Sequence, residues 1–232
     1  GTSSPELVVS LDAVISGAPE IAIGNVVGSN IANILLVLGL SAVIVPISCV
    51  ELSKRHDVAI MFAVTLGFIA LCWSGQLVIW QGTVMILLLC GYLAWSYYSG
   101  QNDDEGIEVI SSGSDSILPW FYRWLNKIWD GHGPATHLLL SLGFIAAGIG
   151  GLVLGAHLLI EGSIEIAVAA GVSKATIGLS LIALGTSLPE LATSIVAAIR
   201  RHGDVAIGNI VGSNLFNILG IMGITSIVRT LP

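Results

Sequence analysis

Two glutamates sit in near-identical surroundings at an offset of 184 residues: Gly1-Thr2-Ser3-Ser4-Pro5-Glu6-Leu7 and Gly185-Thr186-Ser187-Leu188-Pro189-Glu190-Leu191. Each lies inside a long apolar run. Glu190 precedes Arg201 by 11 residues, which at about 1.5 Å per residue puts it roughly 16 Å from that end, near the middle of a bilayer core of about 30 Å. Glu6 occupies the same depth in its own run. A carboxylate there costs at least several kcal/mol unless it is protonated, paired or bound to a cation. No Lys or Arg stands within an apolar run to pair with either one, so a proton or a metal ion from solution remains.

The neighbours of both acids favour the metal ion. Pro5 and Pro189 each lack a backbone donor and crowd the carbonyl four residues back, which predicts a helix broken just before each Glu. In a bilayer such irregular backbone persists only where protein or water satisfies it, as at the midplane ion sites of transporters. The hydroxyls of Thr2, Ser3, Thr186 and Ser187 add hard oxygens within one turn. Asn25, Ser29 and Asn33 recur at i, i+4, i+8, as do Asn209, Ser213 and Asn217, so each trio shares one helical face. Two carboxylates with amide and hydroxyl oxygens suit Na⁺ or Ca²⁺ rather than zinc or copper, and one Ca²⁺ would neutralise the pair.

The elements that must position these residues are membrane helices. Of 232 residues only 10% are charged while 54% are hydrophobic, with 28 glycines and a mean hydropathy of +0.92, and soluble domains run near 25% charged. Eight Lys and Arg against 15 Asp and Glu leave a net charge of -7, which excludes a nucleic-acid partner for want of a basic face. Apolar runs cover residues 1–16, 21–46, 57–74, 77–98, 137–170, 174–200 and 204–228, without the alternation of barrel strands. Trp73, Trp80 and Trp95 mark run ends at the headgroup layer. Cys49, Cys72 and Cys90 lack C-x-x-C spacing and are read as packing residues.

A polar stretch from Gln101 to Ser116 carries Asp103, Asp104, Glu105, Glu108 and Asp115 and reads as a solvated linker, with no EF-hand spacing. The aromatic segment from Ile117 to Trp129 suits an interfacial helix. Lys54, Arg55, Arg123, Lys127, Arg200 and Arg201 fall on one side of the membrane, Lys174 and Arg229 on the other. That bias makes the first side, with the acidic loop 100–136, cytoplasmic.

Aligned without a gap, residues 1–35 and 185–219 share 20 of 35 positions, including Gly24-Asn25 with Gly208-Asn209 and Gly28-Ser29-Asn30 with Gly212-Ser213-Asn214. An odd number of crossings separates the copies, so the repeat is inverted in the membrane. The expected organisation is a first repeat over 1–99, the loop over 100–136 and a second, inverted repeat over 137–232. Symmetry further predicts one and a half spans before Gly1 and two after Pro232, about ten spans in all.

Plainer readings exist for several of these features. Ser-x-Pro-Glu is also a helix N-cap with a capping-box acid, yet a helix that starts in mid-bilayer is itself the broken helix. The pairs Gly24/Gly28 and Gly208/Gly212 are G-x-x-x-G packing motifs, a role compatible with completing an ion site. His157, Glu161 and Glu165 at i, i+4, i+8 read as an interfacial or vestibule face, and Asp12 and Asp204 as solvated span ends. H-E-x-x-H is absent and no histidine has an evident nucleophile partner, so the chain is not read as an enzyme.

With GTSSPEL and GNVVGSNIAN in one copy and GTSLPEL and GNIVGSNLFN in the other, the chain resembles the sodium/calcium exchanger family of the calcium/cation antiporter superfamily, and most its prokaryotic members. The motifs cover about 70 residues directly. The resemblance implies an all-α membrane protein, a helical bundle of inverted-topology repeats with broken core helices, in which this chain is the central part of a ten-helix fold. It implies Ca²⁺ and Na⁺ competing for one site as cargo, with no resident cofactor, and long tilted helices, residues 137–170 being one, sliding to alternate access in the cell (inner) membrane. Glu6 and Glu190 would be the shared carboxylates. Thr2, Ser3, Thr186, Ser187, Ser29 and Ser213 would contribute oxygens to Na⁺ sites, Ala183 a backbone carbonyl, and Asn33 an amide oxygen. At Asn217 members of the family divide between Asp and Asn; the amide here leaves the two glutamates to supply all the fixed charge. Thr-Ser before Pro argues for Na⁺ coupling, with Ca²⁺/H⁺ exchange as the alternative and a cation channel a more distant one.

Overall fold

The computed structural model describes residues 2–44, 52–100, 134–200 and 202–232. Among these the chain is helical, with one isolated backbone bridge, Leu77 with Leu231, and no strand. The helices are α1 (Ser4–Ile15), α2 (Pro19–Ile44), α3 (Leu52–Cys72), α4 (Ile79–Gly100), α5 (Pro134–Ala170), α6 (Lys174–Thr186), α7 (Leu188–Ile199) and α8 (Gly203–Val228). By length and apolarity α2, α4 and α8 can each cross a membrane, and α6 with α7 makes a fourth span bent by 44°. The acidic loop, the aromatic segment 117–129 and Cys49 lie outside the described residues.

Proline sets where the short helices begin. Pro5 and Pro189 stand in the first turn of α1 and α7, and Pro19 opens α2, positions where the missing N–H has no helical partner to lose. The expected break before the second Glu is therefore present as the bend at Ser187, between α6 and α7. Gly17, at φ +79°, turns the chain from α1 into α2.

Among the described residues three helices contain π-helical stretches: Asn33–Leu38 in α2, Gly178–Ile182 in α6 and Phe216–Ile221 in α8. Two of them begin at or just before the repeated asparagines Asn33 and Asn217. Such wide turns, frequent at functional sites, shift the face that a helix presents beyond them. Nothing in the apolar runs announced them.

Two compact units result. Residues Gly1–Leu93 with Leu152–Pro232 form one, drawn from both repeats, and Ala94–Gly151 form the other, which holds the end of α4 and the first part of α5. In the first unit Val9, Ala13, Ile21, Val26, Ile182 and Leu215 are buried from α1, α2, α6 and α8. Glycine permits the closest helix contact: a Cβ on Gly24 would stand 2.6 Å from the Ala175 carbonyl oxygen, and one on Gly28 2.6 Å from the Ala183 Cβ. The second G-x-x-x-G pair behaves differently, since Gly208 and Gly212 are exposed and a Cβ on either would meet nothing within 4 Å. Cys72 and Cys90 are free and exposed, which corrects their reading as packing residues: each lies on the outer face of an apolar helix.

Candidate functional site

The first turns of α1 and α7 come together in a crossed arrangement. Ser3 donates from Oγ to Glu190 Oε1 at 3.0 Å, and Ser187 donates from Oγ to Glu6 Oε1 at 3.4 Å. Each serine thus serves the acid of the opposite repeat. Neither makes the side-chain cap bond that the N-cap reading requires. Glu6 and Glu190 are both fully buried, and among the described residues no salt bridge reaches them.

Asn25 and Asn209 brace these first turns. Asn25 donates from Nδ2 to the Glu6 carbonyl oxygen at 3.3 Å and to Ser10 Oγ at 3.0 Å, and its Oδ1 accepts from Thr186 Oγ1 at 3.1 Å. Asn209 repeats the pattern with the Glu190 carbonyl (3.4 Å), Ser194 Oγ (3.0 Å) and Thr2 Oγ1 (3.2 Å). The first member of each asparagine trio therefore holds backbone, with its oxygen already engaged by a threonine from the other repeat. Thr186 also donates to the Ala183 carbonyl oxygen at 3.2 Å, which the Ser187 amide reaches at 3.1 Å, and pairs with the Ser29 hydroxyl at 3.3 Å. Ser213 donates to Glu190 Oε1 at 3.5 Å.

The third members are turned the other way. Asn33 donates from Nδ2 to Asn214 Oδ1 at 3.0 Å, and Asn217 from Nδ2 to Asn30 Oδ1 at 3.1 Å. Both are fully buried, and their Oδ1 atoms have no hydrogen-bond partner. Glu6 Oε2 and Glu190 Oε2 are in the same condition. Four acceptor oxygens, two from each repeat, are thus buried without a donor; the hydroxyls of Ser41 and Ser163 are the other such side-chain atoms among the described residues. Leaving a buried polar atom unpaired costs about 1–3 kcal/mol, more for a charged group. Such oxygens are satisfied by a species that brings positive charge to them, a proton on a carboxylate or a hard cation.

All the candidate ligands read from sequence that are described here gather in the first unit, on α1, α2, α6, α7 and α8, either as these four oxygens or as hydroxyls and a carbonyl bonded to them or their supports. The outer groups are separate from this network: His157 Nδ1 stands 3.4 Å from Asp12 Oδ2 and His157 Nε2 3.3 Å from Glu161 Oε1, all partly exposed. Sequence reasoning passed over Ser10, Ser194, Asn30 and Asn214 as functional residues. The signal was available: each is polar, in an apolar run, and identical between the copies.

The family profile described as "Sodium/calcium exchanger protein" matches residues 1–98 and 140–232. The chain is 33% identical over 229 residues to the putative antiporter CaxA of Alkalimonas amylolytica, covering 98% of this chain and 67% of that one. It is 30% identical over 245 residues to the sodium/calcium exchanger MaX1 of Methanosarcina acetivorans, covering 98% and 70%. A solved structure of the sodium-calcium exchanger NCX_Mj, soaked with Na⁺ and Sr²⁺, superposes with a TM-score of 0.65 at 33% identity, over 100% of this chain and 68% of that one.

Proposed function

From the premise that the chain belongs to the sodium/calcium exchanger family of membrane antiporters, we propose that it exchanges Na⁺ for Ca²⁺ across the cell (inner) membrane by alternating access at the site between Glu6 and Glu190. The observation that carries this reading is the set of four buried, unpartnered oxygens, Glu6 Oε2, Glu190 Oε2, Asn33 Oδ1 and Asn217 Oδ1. Two of them are carboxylate oxygens and two are neutral. Among the described residues no salt bridge reaches them, so the glutamates carry the fixed charge of the site, and one Ca²⁺ cancels it.

Competition follows from that charge. Once Ca²⁺ is bound, Na⁺ adds uncompensated positive charge in a low-dielectric setting; with Ca²⁺ gone, Na⁺ ions restore neutrality at the same carboxylates and the hydroxyls of Thr2, Ser3, Ser29, Thr186, Ser187 and Ser213. The empty, doubly ionised site is the costly state, so each ion's release waits on the other's arrival and dissipative leak is suppressed. Inverted repeats offer two related arrangements that open such a site to opposite sides. The excess of Lys and Arg supports a cytoplasmic location for the loop 100–136.

Reconstitution in liposomes tests the proposal. Ca²⁺ uptake is measured with an imposed Na⁺ gradient, then with a pH gradient alone. Uptake is expected only in the first case; uptake driven by pH alone rejects Na⁺ coupling in favour of Ca²⁺/H⁺ exchange, and flux far above carrier rates identifies a channel.

A further inference from the structure

Asn33 and Asn217 serve a cation only if their oxygens, and not their NH₂ groups, face it. An amide has no intrinsic preference, because its two ends are nearly the same size and either rotamer fits the same space. Something outside the site must choose.

We propose that Asn30 and Asn214 are positioning residues that make this choice, each acting on the ligand asparagine of the opposite repeat. Asn214 is buried, and its Nδ2 points at the Met61 sulfur of α3 at 3.7 Å. A thioether only accepts, so the NH₂ end of Asn214 is committed to Met61 and its Oδ1 is left facing Asn33 Nδ2 at 3.0 Å. Asn30 donates from Nδ2 to the main-chain carbonyl oxygen of Asn214 at 3.5 Å, again an acceptor only, and its Oδ1 takes the Asn217 amide at 3.1 Å. Direction is thereby passed inward. An acceptor-only anchor turns the outer asparagine, the outer asparagine presents an oxygen, and the inner asparagine must donate to it. The inner oxygens, Asn33 Oδ1 and Asn217 Oδ1, are then left without a partner inside the protein. Flipping either inner amide would set NH₂ against a cation and oxygen against oxygen behind it. The clamp crosses between α2 and α8, so the same two bonds hold the repeats in register at the depth of the site.

The inference rests on the proposed cation site, and the test separates the two. Asn214→Leu and Asn30→Leu keep roughly the volume and remove the acceptor; Asn214→Asp and Asn30→Asp keep an acceptor facing the inner amide. In proteoliposomes the leucine variants are expected to raise the Ca²⁺ concentration for half-maximal uptake about five- to tenfold, with the rate at saturating Ca²⁺ little changed. The aspartate variants keep the acceptor but bring a charge of their own, so they should not share the leucine variants' loss of Ca²⁺ affinity. Equal effects of Leu and Asp at each position, or no effect of Leu, overturn the proposal while leaving the site itself standing. Absence of Ca²⁺ uptake by the unaltered protein, or uptake unaffected by Glu190→Gln, overturns the site instead. Should the leucine variants not fold, hydrogen exchange of asparagine side-chain amides in the unaltered protein decides: the Nδ2 protons of Asn33 and Asn217 should be protected with and without Ca²⁺, and rapid exchange of both refutes the clamp.

Discussion

The two copies of the G-N-x-V-G-S-N segment have nearly the same residues and unequal surroundings. In α2, Gly24, Asn25 and Gly28 are buried under α6, whose backbone approaches so closely that Gly28 would bring a Cβ into the Leu179 carbonyl oxygen. In α8, Gly208 and Gly212 are exposed and Asn209 is only partly buried. Yet the hydrogen bonds of Asn25 and Asn209 are the same in kind and agree to within about 0.1 Å. The polar contacts are thus the same in the two copies, although the helix packing around them differs.

That contrast can be broken most sharply at the acids. Glu6→Gln and Glu190→Gln keep volume and remove charge, and both should reduce exchange by about two orders of magnitude or more, on the scale of about 3–5 kcal/mol for unbalancing a buried charged set, with the protein still folded by thermal unfolding in detergent. Retained Ca²⁺ transport in either variant would mean that the two halves are not chemically equivalent.

The packing half of the contrast predicts inequality. Gly28→Ala forces side-chain carbon into backbone and should destabilise the protein by about 1–3 kcal/mol, whereas Gly212→Ala should be neutral or stabilising by up to about 1 kcal/mol from the gain in helix propensity. Denaturant titration of this chain compares them, and equal losses would show that α8 is covered after all.

Smaller effects follow where burial differs around identical bonds. Asn25→Ala takes one hydrogen bond from each of the Glu6 carbonyl, the Ser10 hydroxyl and the Thr186 hydroxyl in a sealed place, at about 1–3 kcal/mol, while water can replace the amide of the part-exposed Asn209 in Asn209→Ala, at about 1 kcal/mol or less. Stability measurements on the pair would contradict this if the order reversed. Least of all, Ser3→Ala and Ser187→Ala each remove one hydroxyl donor to a glutamate and should weaken Ca²⁺ affinity by a similar factor, about fivefold. A calcium titration in which only one of the two responds would rule out the crossed symmetry of the site.

Much of this was readable beforehand because the signals are local or periodic. Pro5 and Pro189 cannot occupy a helix interior, and the bend at Ser187 follows from that alone. The repeat itself required only an alignment. The roles within each asparagine trio were not readable, since Asn25 and Asn33 share a face at i and i+8 and carry the same side chain. Their difference comes from partners far along the chain, Thr186 for one and Asn214 for the other. The π-helical turns at Asn33 and Asn217 were equally hidden, because a wide turn leaves composition and apolar spacing unchanged.

Residue type and position within apolar runs alone set the expectation that two carboxylates must be neutralised, because transfer of a charge into hydrocarbon is unfavourable in any arrangement. Only the tertiary structure decided which oxygens remain for the neutralising ion. Every hydroxyl and amide near the glutamates can donate or accept, and the choice is made by groups brought within about 3 Å by helix crossing, an outcome that no pattern along a single helix encodes.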